Sequence, residues 1–187
     1  MSDSAELTAT RCWVEKTVVG LNLCPFAASP MKGGRIRYRL CKAETPDEIY
    51  RELLAEIETL IGLSETVAET ALFVVPAGLT DFEVYLDLFA AAEAAITEVG
   101  LEGILQLASF HPEYRFEDAD RDDPANYTNR SPYPMFHLIR EAPLARALEN
   151  YKDPEAIPER NIALLRELGL KAMQQRLSAC RNRTGEE

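Results

Sequence analysis

The spacing of apolar residues changes from helical to strand-like within the first forty residues. Val14, Val18 and Leu21 repeat at helical spacing and predict an amphipathic helix over residues 5–23. In residues 35–41 apolar and mostly basic side chains alternate, which is typical of a half-buried strand. A Pro- and Gly-containing stretch separates the two and predicts a loop.

The middle of the chain repeats this order twice. Capping sequences at Thr45 and Thr80 predict the starts of two helices, each of which ends before a new strand begins. The continuously apolar stretch at 70–78 predicts a strand in the centre of a sheet. Residues 103–110 predict a third strand.

The second half contains a long polar connection. About 23 residues, at 111–133, separate the third strand from an apolar segment at 134–140 that favours a fourth strand over a helix start. Connections above about 12–15 residues without secondary structure are uncommon in compact domains and are often functional. Pro143 and Pro158 predict the starts of two final helices, the last one broken near Gly169.

These elements predict an α/β (α+β) sandwich with a single mixed sheet of about four strands and helices at both ends. We expect one domain over 1–187, with a core at about 8–168 and a C-terminal helix and mobile tail at 170–187.

Composition and charge narrow the class of protein. No run of about 18 apolar residues is present, so we expect no membrane span. The first residues lack the basic-then-apolar order of a secretory signal, so we expect a cytoplasmic protein. Its four cysteines are then expected to be reduced thiols. The net charge of −11 argues against nucleic-acid binding.

A basic segment at 32–42 contains five Lys or Arg residues and no acidic residue. Such a segment could attract a small anion to an otherwise acidic protein. Alternatively, its charges protect an edge strand against aggregation.

Both histidines of the chain flank the long loop. If the strands on either side of this loop pair antiparallel, His111 and His137 would lie at the same end of the sheet. They could then act as a catalytic acid/base pair or as ligands of a divalent metal ion. The alternative is a structural role, in which both imidazoles bind loop carbonyls.

The loop also carries an acidic run from Glu117 to Asp123. It resembles a calcium loop but lacks the required glycine and the final glutamate. A solvated acidic turn is one interpretation. A divalent metal held by Asp123 together with the two histidines is the other.

The polar stretch at 126–133 offers a set of side chains for binding a substrate. Arg130 could anchor the carboxylate or phosphate of a small anionic molecule. The other candidate contacts are Asn126, Tyr127, Asn129 and Ser131. Asn and Ser are also common turn formers, which is the competing explanation.

Cys24 lies where the first predicted helix ends, just before Pro25. A helix C-terminus does not favour a thiolate, so a nucleophilic Cys24 would need a neighbouring histidine or arginine. Otherwise it is a small packing residue.

The stretches GLNLCPFA (20–27) and FHPEYRFEDADRDDPANYTNRSPYPMFHLIRE (110–141) resemble those of a bacterial family catalogued as a domain of unknown function. The resemblance covers roughly residues 8–168. It implies a single domain in a bacterial cytosolic setting and assigns no role to any residue. The matching motif positions are Cys24, His111, Asp123, Asn126, Tyr127, Asn129, Arg130, Ser131 and His137.

The sequence thus predicts a small enzyme whose site lies under the long loop. His111, His137 and Cys24 would be catalytic, and metal-assisted hydrolysis and thiol-based transfer both remain open. A non-catalytic module for a small anion or a metal is an alternative, and a scaffold that binds a protein partner is another. Substrate and oligomeric state are left undetermined.

Overall fold

The computed structural model describes residues 4–149 and 151–182. Within this part, the chain forms a single four-stranded sheet with seven α-helices around it. In chain order the elements are α1 (Ala5–Trp13), α2 (Ala28–Lys32), β1 (Ile36–Leu40), α3 (Pro46–Gly62), β2 (Thr70–Val74), α4 (Phe82–Glu98), β3 (Leu105–Phe110), β4 (Met135–Arg140), α5 (Glu141–Leu148), α6 (Ile157–Leu168) and α7 (Leu170–Arg181). The tail at 183–187, predicted to be mobile, lies outside the described residues.

The strand order is β1-β2-β4-β3. β1 and β2 run parallel, whereas β4 is antiparallel to both of its neighbours, so the sheet is mixed as predicted. All five residues of β2 are buried, which matches its continuous apolar sequence and its inner position. The α+β architecture predicted from the sequence is therefore confirmed.

One face of the sheet is covered by α3 and α4. Phe73 of β2 and Phe136 of β4 are fully buried there, with ring centroids 6.4 Å apart. Ile49 and Leu53 of α3 pack against them. This face forms the larger core and is closed to solvent.

The opposite face is covered by α1, α6 and α7. Trp13 from α1, Leu165 from α6 and Met173 from α7 form a second buried cluster with Val74 of β2. This layer leaves part of the sheet uncovered near His137 on β4, where a cavity opens.

The first predicted helix is shorter than its apolar pattern suggested. α1 ends at Trp13 and continues as a π-helix over Val14–Val19. A Cβ at Gly20 would lie 2.4 Å from the carbonyl oxygen of Lys16, so only glycine allows this close turn. The chain then leaves the helix, with Asn22 in the left-handed region at φ 53°. The expected helix over 5–23 is corrected accordingly, and α2 replaces part of the predicted loop.

Cys12 on α1 and Cys180 on α7 form a disulfide, with Cα atoms 5.4 Å apart. This corrects the expectation of four reduced thiols. The two helices lie side by side on the same face of the sheet, which brings together cysteines separated by 168 positions. Cys24 and Cys41 are free thiols.

The arginines of the basic segment are paired with glutamates. Arg35 and Glu69 approach to 2.5 Å, and Arg37 binds the buried carboxylate of Glu56 at the same distance. Arg39 lies 3.5 Å from Glu52. Because β1 is an edge strand, these pairs tie it to α3 and β2, and no row of unpaired charges is formed.

No helix among residues 4–149 and 151–182 has both the length and the apolarity of a membrane span.

Candidate functional site

The pairing of β3 with β4 brings the two histidines to the same region of the sheet. The strands are antiparallel, which was the condition for a shared site, and Phe110 pairs with Met135. His111 nevertheless packs against Phe82 and Tyr85 of α4, with centroid distances of 5.1 Å, on the closed face. His137 lies on the other face, where the Phe110 ring is 6.1 Å away. The structure therefore does not bring the two imidazoles into one site.

His111 is fully engaged by the backbone. Its Nδ1 accepts a hydrogen bond from the N–H of Glu113 at 3.0 Å. Nε2 therefore carries the proton and donates to the carbonyl of Leu79 at 2.9 Å. Burial lowers the pKa of His111, which keeps the ring neutral. The side chain therefore links the start of the long loop to Leu79, in the connection between β2 and α4.

His137 has one engaged nitrogen and one open nitrogen. The Thr70 hydroxyl donates to the carbonyl of Leu138 at 2.6 Å, so it accepts a hydrogen from Nε2 of His137, also at 2.6 Å. Nδ1 then carries a lone pair, and no described residue donates a hydrogen bond to it. Burial lowers the pKa of His137 to about 4. At neutral pH the ring is an uncharged hydrogen-bond acceptor.

Cys24 lies in a turn whose preceding backbone carbonyls are hydrogen-bonded by side chains of α6. Arg160 donates to the carbonyl of Asn22 at 2.6 Å, and the Asn161 amide donates to the carbonyl of Leu23 at 2.7 Å. Cys24 is partly buried and lies four residues before α2. The expectation that it ends an α-helix is therefore wrong. Burial raises the pKa of the Cys24 thiol, and the backbone N–H groups of Phe26 and Ala27 offset part of that rise.

Cys24 and His137 line the same cavity, of about 570 Å³. Its floor is the open face of the sheet, and its walls are Trp13, the π-helix, the segment 24–30, α5 and the start of α6. Most lining side chains are aliphatic or aromatic. A volume of this size, with apolar walls and few polar groups, is typical of a small-molecule site.

Two buried polar atoms without partners lie at or next to the π-helix wall, one in Trp13 at the end of α1 and one in Thr17 of the π-helix. Of the two residues, Trp13 lines the cavity and Thr17 does not. Within the described residues, neither Nε1 of Trp13 nor the hydroxyl of Thr17 has a hydrogen-bond partner. Such atoms are rare in folded proteins because each costs about 1–3 kcal/mol. π-helical turns are also frequent at functional sites. Both features mark this wall as unusual.

Arg130 and Asn126 bind the long loop itself. Arg130 donates to the carbonyls of Tyr114 and Arg121 at 2.9 and 2.8 Å, and its guanidinium lies 5.0 Å from the Tyr127 ring centre. Asn126 is fully buried and accepts from the N–H of Phe116. These contacts stabilise the loop and engage the side chains predicted to bind a substrate.

The remaining residues of that set have similar roles. Asn129 donates to the carbonyl of Ser109 at 2.9 Å, and the buried Ser131 hydroxyl donates to the carbonyl of Tyr133 at 2.6 Å. Tyr127 is buried in the second core cluster. None of these side chains lines the cavity.

Asp123 caps a short 3₁₀-helix and pairs with Arg166 of α6 at 2.7 Å. The guanidinium of Arg166 and the N–H of Ala125 lower the pKa of Asp123. In the described ranges, no group of three or more His, Cys, Asp or Glu side chains is arranged to hold a metal ion. The structure therefore does not assemble the metal site predicted from Asp123, His111 and His137.

A second concavity, of about 610 Å³, lies between residues 42–45 and the start of α3. It is open to solvent and lined mainly by exposed charged side chains, without a histidine or cysteine. The cavity beside His137 is the better candidate site.

Sequence reasoning missed Thr70 and Trp13. Thr70 is the polar first residue of an otherwise apolar strand, which was the available signal. Trp13 looked like an ordinary member of a helix, and its place in the cavity wall depends on how α1 packs.

Comparisons with known proteins place the chain in one family. No curated protein and no solved structure matches the chain. A family model matches residues 6–175, which is most of the chain. The chain therefore belongs to the family described as "Protein of unknown function (DUF1415)".

Proposed function

We propose that the protein binds a small, largely apolar molecule in the cavity that Cys24 and His137 share. One observation carries this proposal: the cavity combines apolar walls, a free thiol and an unengaged imidazole nitrogen on one face of the sheet. Burial of apolar surface would supply most of the affinity, and the polar atoms would orient the ligand.

An anionic substrate, predicted from the sequence, has weaker support. Arg130 was expected to anchor the anion, but it binds two backbone carbonyls of its own loop. The arginines at 35, 37 and 39 are paired with glutamates. The groups that would attract an anion are thus already engaged.

The chain provides its own reporter for this function. Trp13 is the single tryptophan and lines the cavity. Titration with a neutral apolar dye such as Nile red should change both the Trp13 fluorescence and the emission of the dye.

A matched pair of variants locates the bound dye. Ala108→Phe places a ring in the cavity and should weaken dye binding at least tenfold. Ala94→Phe, on the exposed side of α4, is the control and should bind like the wild type. If Ala108→Phe binds the dye as tightly as the wild type, the molecule does not occupy this cavity.

A second candidate function is thiol-based transfer at Cys24. It is favoured because a free thiol and an imidazole whose Nδ1 has no donor among the described residues line one cavity. As Sγ adds to a carbonyl carbon of the bound molecule, the C=O π electrons would move to its oxygen, and the thiol proton would pass to Nδ1 of His137 in the same step, because the pKa of His137 is only about 4. When the C=O bond re-forms, the leaving group would depart with its bonding electrons and take that proton from Nδ1, which leaves the acyl group on Sγ. The raised pKa of Cys24 means that the resting thiol is protonated, so this base is required.

Alkylation kinetics test this second candidate. In the native protein, N-ethylmaleimide should modify Cys24 faster than Cys41, whose pKa burial raises to about 11. His137→Phe should slow modification of Cys24 without affecting Cys41. If Cys24 reacts only after unfolding, the nucleophilic role is wrong.

A further inference from the structure

The charged residues at the cavity wall are already engaged. Glu69 pairs with Arg35 at 2.5 Å, and Arg146 pairs with Glu65 at 2.8 Å. Arg140 donates to the backbone carbonyls of Leu60, Leu63 and Ala68. The two ion pairs neutralise Glu69 and Arg146. Arg140 keeps its positive charge, but its Nε and Nη2 groups are used by backbone carbonyls, so a ligand carboxylate would have to compete with these bonds. Burying a charged group without a direct partner is strongly unfavourable.

Three hydrogen-bonded groups determine whether His137, on the floor of the cavity, offers a ligand a donor or an acceptor. The carbonyl of Leu138 accepts from the Thr70 hydroxyl, and that hydroxyl accepts from Nε2 of His137. The donors and acceptors in this series of hydrogen bonds can be assigned in one way only, because the Leu138 carbonyl cannot donate. The other ring nitrogen of this cavity-lining residue, Nδ1, is therefore an acceptor.

The requirement on a ligand follows from these two points. We propose that the cavity selects an uncharged molecule with an apolar body and a hydroxyl or amide N–H group that donates to Nδ1 of His137. A carboxylate carries no hydrogen to donate, and its oxygens would face the lone pair of Nδ1. An ether or a hydrocarbon would fill the apolar volume but leave Nδ1 without a partner. This inference rests on the binding function proposed above and specifies the chemical class of the ligand.

Three probes of similar length separate the alternatives. Octan-1-ol carries a donor, its isomer 1-methoxyheptane carries only an acceptor, and octanoate carries a negative charge. Each is titrated into the full chain at neutral pH, with Trp13 fluorescence and Nile red displacement as readouts. We expect octan-1-ol to bind about three- to tenfold more tightly than 1-methoxyheptane, which is the range expected for one net hydrogen bond. Octanoate should bind more weakly than either.

His137→Phe removes the acceptor and keeps an aromatic ring of similar size. In this variant the preference for the alcohol over the ether should disappear, while the ether still binds. Glu98→Gln, on the exposed end of α4, is a surface control that should keep the preference.

The possible results distinguish the two proposals. If the wild type binds the alcohol and the ether equally, or prefers octanoate, the ligand class is wrong although the cavity still binds apolar molecules. If none of the three probes and no dye binds, the proposed function is wrong as well. The comparison within the wild type decides the matter even if His137→Phe does not fold.

Discussion

The Thr70 hydroxyl lies 2.6 Å from Nε2 of His137 and donates its own hydrogen to the carbonyl of Leu138. This contact joins β2 to β4 on the open face of the sheet and determines which imidazole nitrogen of the cavity-lining His137 carries the lone pair. The properties proposed for the site depend on it.

The first prediction concerns the tautomer of His137. Because Thr70 accepts from Nε2, nitrogen NMR at pH 7 should show a neutral ring protonated at Nε2. Thr70→Val removes the acceptor and should allow both tautomers, at a cost of about 1–3 kcal/mol in the free energy of unfolding. A wild-type ring protonated at Nδ1 would contradict the geometry and remove the acceptor from the cavity.

The second prediction is a loss of stability in mild acid. Burial lowers the folded-state pKa of His137 to about 4, below the ordinary value of 6.5. Between these values the unfolded chain binds a proton that the folded protein does not. The contribution of neutral His137 to the free energy of unfolding is thus complete above pH 6.5 and is lost as the pH falls towards 4. This contribution is on the order of 3 kcal/mol.

Denaturant unfolding at several pH values measures this dependence. His111 adds to it in the same direction, because burial lowers its pKa too. His137→Phe should therefore reduce the slope between pH 6.5 and 4.5 without abolishing it. An unchanged slope would show that His137 is not buried in the folded state as described.

The third prediction concerns the disulfide between α1 and α7. Cys12 and Cys180 are 168 positions apart, so their bond restricts the unfolded chain strongly. Reduction, or the double change Cys12→Ser and Cys180→Ser, should lower the free energy of unfolding by about 2–4 kcal/mol.

Two controls accompany this measurement. Dithiothreitol should have no further effect on the double variant, and Cys24→Ser should keep the full response. Mass spectrometry of the oxidised, unreduced wild type should show two alkylatable thiols. Four alkylatable thiols would contradict the bond.

The fourth prediction separates a structural from a ligand-binding role of Arg130. Arg130→Ala removes two hydrogen bonds to buried loop carbonyls and should destabilise the fold by about 1.5–3 kcal/mol. Arg121→Ala is the matched control, because its exposed pair with Glu113 contributes about 0–1 kcal/mol.

Binding of Nile red provides the second measurement for these variants. The folded fraction of Arg130→Ala should bind the dye with wild-type affinity, since Arg130 lies outside the cavity wall. A stable Arg130→Ala protein that no longer binds would instead support the role predicted from the sequence.

The candidate site could be predicted only in part. Cys24 and His137 were named from the sequence, and both line the cavity. The polar stretch at 126–133 was also recognised as unusual, but composition cannot tell whether an Asn or Arg side chain faces a ligand or its own backbone. That depends on the path of the loop, which folds so that Arg130 reaches the carbonyls of Tyr114 and Arg121.

The sequence alone determined the chain order of the four strands and of the longer helices, because apolar spacing, capping residues and prolines act locally. Only the tertiary structure decided which histidine faces the cavity. Neighbouring residues of a strand point to opposite faces, and His137 pairs with Ala108, so His111 lies on the other side. A register shifted by one residue would have put both imidazoles on one face. Register depends on packing across the whole sheet, which no local pattern contains.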